Sequence, residues 1–171
     1  MPWRSGAEYC WLQVGFDREG KLVIADTGMN PAAVEIGTFF PQPPNVVWRA
    51  LTEPYLLERW LMPSIGFVAS VGAKFTFVIP IQPVGDISCK VLTARPGEQL
   101  TFSWVDLRAE NPARWVVDWT VRPHGRGTRL LLMQTGFDID DRRQKMARNA
   151  MERNWKVVMS RLGEELDRVE T

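Results

Sequence analysis

Between Asp140 and Glu170, apolar side chains recur at Ala147, Ala150, Met151, Trp155, Val158, Met159, Leu162, Leu166 and Val169. This three-and-four spacing lays one stripe along a single helix face. No proline interrupts the run, and Asp138, Asp140 and Asp141 crowd its start, where unpaired backbone N–H groups and the helix dipole favour carboxylates. A helix of that length reaches roughly 45 Å at 1.5 Å per residue, the span of a whole small domain. Its tryptophan and methionines suit an irregular or hollow partner surface as well as a plain core.

Upstream, the period changes to two. Glu8 to Phe16 alternates, with Cys10, Leu12, Val14 and Phe16 sharing a side, and Asp17-Arg18-Glu19-Gly20 turns it into a second run, Lys21 to Asp26, as a hairpin. An isolated hairpin is marginal in water, so this one needs a larger sheet or a partner. A strand over Ala33 to Phe40 stops at Pro41, Pro43 and Pro44. Two short helices follow, Asn45 to Thr52 and Tyr55 to Leu61, ended by Pro54 and Pro63. Alternating runs then cover Lys74 to Ile79, Asp86 to Ala94, Gln99 to Asp106, Trp115 to Val121 and Arg129 to Thr135, with Gly97, Gly125 and Gly127 at turns. Connections this short make neighbours antiparallel, because parallel pairs need crossovers of about a dozen residues. The pattern predicts an α+β chain: a strand, two short helices, several antiparallel strands and a long final helix.

Composition narrows the class. With 171 residues, 45% of them hydrophobic and 24% charged, the chain can bury the core of one ordinary domain. A net charge of +1 gives no long-range field for nucleic acid or an acidic membrane surface. Cys10 and Cys89 form no C-x-x-C pair and are expected reduced and buried. No leader pattern opens the sequence and no run approaches the roughly 20 apolar residues that span a bilayer, so a cytoplasmic protein is expected. The eight tryptophans are unusual and contribute apolar area in cores and pockets alike.

Several stretches carry a family resemblance: FFPQPPNVVWRALTEPYLLERWLMP, GAKFTF, LTFSW, GTRLLLMQTGF and the tryptophan of the last helix. Together they resemble the SRPBCC superfamily (START-like, birch-pollen-allergen-like). Within it the chain is most similar to the branch of activator of heat-shock-protein-ninety ATPase homologues, over about residues 33 to 169. The resemblance implies a helix-grip fold, in which a curved antiparallel sheet wraps the long C-terminal helix and leaves a cavity between them. It sets residues 33–171 apart as the helix-grip domain, with an N-terminal β-hairpin extension at 1–32 outside the shared pattern. One departure is Asn154, where relatives often carry glycine before the helix tryptophan; the larger residue adds bulk where the helix is expected to approach the sheet.

Candidate chemistry is sparse. His124, the only histidine, sits in Arg122-Pro123-His124-Gly125-Arg126-Gly127, a turn, without the partners a base or metal ligand needs. No Gly-x-Ser-x-Gly elbow, histidine pair or phosphate loop is present, so neither a cofactor nor a metal is expected. Asp118 interrupts an apolar strand; it is an outward-facing carboxylate if alternation holds, or a polar anchor for ligand if it faces inward. Arg142, Arg143, Lys145 and Arg148 gather at the helix start, as a solvated face or as a docking patch for an acidic partner. From parity and the implied fold, the expected cavity lining is Trp60, Met62, Phe75, Phe77, Ile87, Trp104, Trp119, Met133, Met151, Trp155 and Met159. The leading function is enclosure of a small hydrophobic or amphipathic molecule. Activation of a heat-shock ATPase in a stress response comes second, because the activators pair this domain with a separate N-terminal one for which this chain has no room. A cyclase- or hydrolase-like enzyme comes last, and the N-terminal hairpin offers an edge for a homodimer.

Overall fold

The computed structural model describes residues 30–80 and 85–169 in full, and the backbone of β1 (Leu12–Phe16) and β2 (Leu22–Asp26). These two pair antiparallel as the expected hairpin. The turn between them, the residues before Leu12 and the side chain of Cys10 lie outside the described residues.

The core begins with β3 (Val34–Phe40), followed by α1 (Pro44–Thr52) and α2 (Pro54–Trp60). Each of these helices opens on a proline, whose missing N–H costs nothing in a first turn and whose fixed φ is already helical. The Trp60 indole N–H donates to the Ala50 carbonyl at 2.9 Å, fastening the end of α2 to α1. Then come β4 (Ser64–Ile65), β5 (Lys74–Ile79), β6 (Gly85–Arg95), β7 (Gln99–Asp106), β8 (Trp115–His124) and β9 (Gly127–Thr135). They form one seven-stranded antiparallel sheet in the order β3-β9-β8-β7-β6-β5-β4, so the last strand slots between the first core strand and its own hairpin partner. A register shift between Val91 and Thr93 in β6 marks a bulge, a device that bends a strand. The result is the expected α+β helix-grip architecture, an open curved sheet around a terminal helix.

The sheet's inner face follows strict parity: Phe75, Phe77 and Ile79; Ile87, Cys89 and Val91; Leu100, Phe102 and Trp104; Val117, Trp119 and Val121; Leu130 and Leu132 are all buried. The terminal helix α3 (Arg142–Val169) crosses that face with Trp155, Met159, Leu162, Glu165 and Leu166 buried. Its start is capped as the aspartates predict. Asp141 Oδ1 accepts from the N–H groups of Arg143 (2.7 Å) and Gln144 (3.3 Å), while Gln144 Oε1 reaches back to the Asp138 N–H (3.0 Å). Asn154 is exposed and turned from the sheet. The bulk expected there against the sheet does not arise, because the residue before Trp155 is rotated about 100° from the buried stripe.

Candidate ligand site

The inner face and α3 enclose a connected array of rings. Phe67 meets Phe75 at 4.8 Å between centroids, Phe75 meets Phe77 at 5.2 Å, and Phe77 meets Trp104 at 5.8 Å. Trp104 then meets Trp155 at 5.6 Å, Trp155 meets Trp119 at 5.5 Å, and Trp119 meets Trp60 at 5.7 Å. Most of these pairs are edge-to-face, the arrangement the ring quadrupoles favour. The structure therefore brings Trp60, Phe75, Phe77, Ile87, Trp104, Trp119, Trp155 and Met159 together on one buried surface. Met62 and Met151 pack at its margin, half-buried.

Met133 does not belong to that surface. It lies on the sheet's outer face, 42% exposed. In Leu130-Leu131-Leu132-Met133-Gln134 both parities are apolar until Gln134, and the buried parity is the one that holds Leu130, Leu132 and Gln134. Asp118 stands opposite Met133 on the same outer face, the outward position that alternation favours. Its carboxylate accepts from Thr101 Oγ1 (2.5 Å), Gln99 Nε2 (2.7 Å) and Thr120 Oγ1 (2.9 Å), so it is a hub of the outer sheet surface, away from the ring array.

Sequence reasoning missed the polar groups of the interior. Gln134 is fully buried; its Oε1 accepts from the Trp155 indole N–H at 2.7 Å, but its Nε2 finds no acceptor among the described residues. The indole N–H of Trp115 is likewise buried and without an acceptor. Val117 is the direct cross-strand partner of Gln134. Trp115, two residues before Val117 on the same face, is therefore a diagonal neighbour of Gln134, at about 7–8 Å between backbones. Parity with Leu130 and Leu132 is the signal that would have placed Gln134 inside.

Beside Trp115 the surface opens into a concavity of about 300 Å³ between the β7–β8 connection and the first turns of α3. Asp106, Ala109, Glu110, Asn111, Ala113 and Trp115 line one side, and Arg143, Gln144 and Ala147 the other. Hydrogen bonds from the Arg108 guanidinium, at 2.6 Å for the shortest, hold the Asp106 carboxyl below the usual carboxylate range and stiffen this rim. Phe137 stacks on Trp115 at 4.7 Å and backs the indole. That contact depends on Gly136, whose φ of +100° and 2.8 Å approach of an added Cβ to the Arg114 carbonyl leave no room for another residue.

The other singled-out residues are structural or solvent-facing. Arg148 donates to the Ala33 carbonyl from Nε (3.0 Å) and Nη2 (2.9 Å), tying α3 to the head of β3. Arg142, Arg143 and Lys145 are exposed. His124, expected in a turn, is the last residue of β8 and pairs with Gly127; it is exposed, edge-on to Phe39 at 5.7 Å. Cys89 is a free thiol that burial pushes up to about 12, so it stays protonated and unreactive at neutral pH. No helix among the described residues is long and apolar enough to cross a membrane.

Comparison with known proteins adds the following. Residues 41–167 match the model of the family described as activator of Hsp90 ATPase homolog 1-like protein. The crystal structure of protein MLL2253 from Mesorhizobium loti is similar at 33% identity and a TM-score of 0.71, over 80% of this chain and 97% of that one. CalU16 from Micromonospora echinospora is similar at 24% identity and a TM-score of 0.63, over 78% of this chain and 75% of that one. DynU16, from the dynemicin biosynthetic locus, is similar at 20% identity and a TM-score of 0.69, over 80% of this chain but 47% of its own. No curated protein matches in sequence.

Proposed function

Taking as premise that the chain belongs to the activator of Hsp90 ATPase homolog 1-like family, we propose that it binds a small amphipathic molecule at the mouth beside Trp115. The ligand's apolar part lies on Trp115 and Phe137 and points toward the ring array. An oxygen acceptor on the ligand takes the N–H of Trp115 and the side-chain amide of Gln134. The observation that carries this reading is the buried N–H of Trp115, without an acceptor and beside an open concavity, with the unpaired amide of the fully buried Gln134 behind it on the same face of the adjacent strand. A buried donor left unpaired costs about 1–3 kcal/mol, which a ligand acceptor would return. Covering about 200 Å² of apolar ligand surface would add about 5 kcal/mol, at roughly 25 cal/mol per Å². The deeper rings, Trp104, Trp155 and Trp119, are the wall a longer ligand would reach if the first turns of α3 moved outward.

Thermal-shift and native mass spectrometry with paired compounds test this, each pair differing only by a carbonyl or phenolic oxygen. The oxygen-bearing member should stabilise the protein more, and Gln134→Leu should reduce that preference while the apolar contribution persists. No stabilisation by either member, and no co-purifying compound, would refute it.

A second reading follows from the exposed Arg142, Arg143 and Lys145, which make no side-chain ion pair among the described residues. They offer an acidic chaperone surface a docking patch, in keeping with the family's description. Capture of a heat-shock ATPase that weakens steeply with salt and fails in the Arg142→Glu, Lys145→Glu variant would favour it over ligand binding.

A further inference from the structure

The outer face of the sheet carries charges in rows that the monomer leaves unmatched. One row across the strands reads Glu35, Met133, Asp118, Thr101. The next reads Gly37, Leu131, Thr120, Gln99. The third reads Phe39, Arg129, Arg122. The first row is thus acidic, the middle row neutral, and the third basic and aromatic. Arg122 and Arg129 are direct cross-strand partners, and like charges directly opposite each other destabilise a sheet. Neither arginine meets a carboxylate among the described residues, and Glu35 likewise has no charged partner there. Phe39 and Met133 are 55% and 42% exposed, and a groove of about 170 Å³ runs between the acidic and basic rows over Leu131.

We propose that this face is the contact between two copies of the chain, related by a two-fold axis parallel to the sheet plane and running across the strands along the middle row. That rotation puts the acidic row of one copy over the basic row of the other. Asp118 then faces Arg122 of the second copy, Glu35 comes beside its Arg129, and Leu131 meets Leu131. An axis parallel to the strands would instead set acid on acid and base on base. The charge pattern therefore selects one of the two face-to-face arrangements, and an isologous contact uses every unmatched charge twice. A polyanion would satisfy the arginines but would be repelled by Glu35 and Asp118, so the acidic row favours a second copy. The tie of Asp118 to Gln99, Thr101 and Thr120 holds its carboxylate in place for such a contact.

Sedimentation velocity across a concentration series, with native mass spectrometry, tests this on the full chain. The wild type should dimerise reversibly. Glu35→Arg and Arg129→Glu should each weaken the dimer by about tenfold or more, since symmetry places the like-charge contact twice. An equimolar mixture of the two variants should recover a dimer of mixed mass. In it the two introduced side chains, of opposite sign, face each other, and the native Arg129 of one copy meets the native Glu35 of the other. Arg122→Glu replaces Arg129→Glu if the latter fails to fold. A wild type that stays monomeric up to about 1 mM, where an association would be worth only about 4 kcal/mol, overturns the proposal. So does a dimer indifferent to both charge changes, or heparin binding that depends on Arg129 without self-association.

Discussion

The C-terminal half of α3 buries Trp155, Met159, Leu162, Glu165 and Leu166, whereas from Arg142 to Met151 no side chain is fully buried. The fastenings differ in the same sense. Near the C-terminus, Arg59 Nε lies 2.9 Å from the buried Glu165 Oε1, a charge contact whose angle falls outside hydrogen-bond geometry, and Gln42 Nε2 donates to Asp167 Oδ1 at 2.9 Å. Gln42 is held in turn by Thr128, whose hydroxyl donates to its backbone carbonyl at 2.8 Å. Near the N-terminus the Asp141 cap and the Arg148 clamp do most of the holding. Regions with few buried apolar contacts open at lower free energy than the core, and sites that admit ligands are drawn from them. The concavity and the unpaired donor of Trp115 sit at this lightly held end.

The contrast can be broken first with Trp155→Ala. It removes a ring at the junction of Trp104 and Trp119 and strips Gln134 Oε1 of its donor, so urea denaturation should show a loss of about 3–5 kcal/mol. Met151→Ala, one turn earlier on the same stripe, should cost about 1 kcal/mol, and equal losses would mean the two halves are docked alike. Arg148→Met should cost about 1.5 kcal/mol, the value of a charged hydrogen bond. Hydrogen exchange should then speed up over 142–151 and stay unchanged over 155–166. Asp106→Asn gives the smallest effect, about 0.5 kcal/mol, because the pair with Arg108 is partly exposed. Since Asp106 is depressed in the fold, its contribution is present above the unfolded value near pH 4 and disappears as pH falls through the folded one. The variant should therefore lose less stability than the wild type on acidification below about pH 4.

Most of the fold was legible because its two periods are clean. β5 and β7 carry alternating aromatic residues against polar ones, and their observed bounds coincide with the expected runs. The β8–β9 hairpin runs further than expected: His124 pairs with Gly127, leaving Gly125 and Arg126 as the turn. Pro123 lies inside the stretch expected as a turn. It is tolerated because β8 has no β7 neighbour beyond Thr120, so the missing N–H faces no partner strand. β4 spans two residues, too few to show a period. The ring array was legible by parity except at Met133, where a strand apolar on both faces carries no alternation signal. The mouth was not legible, since it depends on the long β7–β8 connection meeting the start of α3, a contact between segments that spacing does not relate.

The chain of touching rings from Phe67 to Trp60 has an optical consequence. Indoles 5.5 to 5.7 Å apart, as Trp104, Trp155, Trp119 and Trp60 are, exchange excitation faster than they emit, so these four behave as one fluorophore. A quencher arriving near Trp104 would then dim them all at once, and the protein would report occupancy of its own interior without a label.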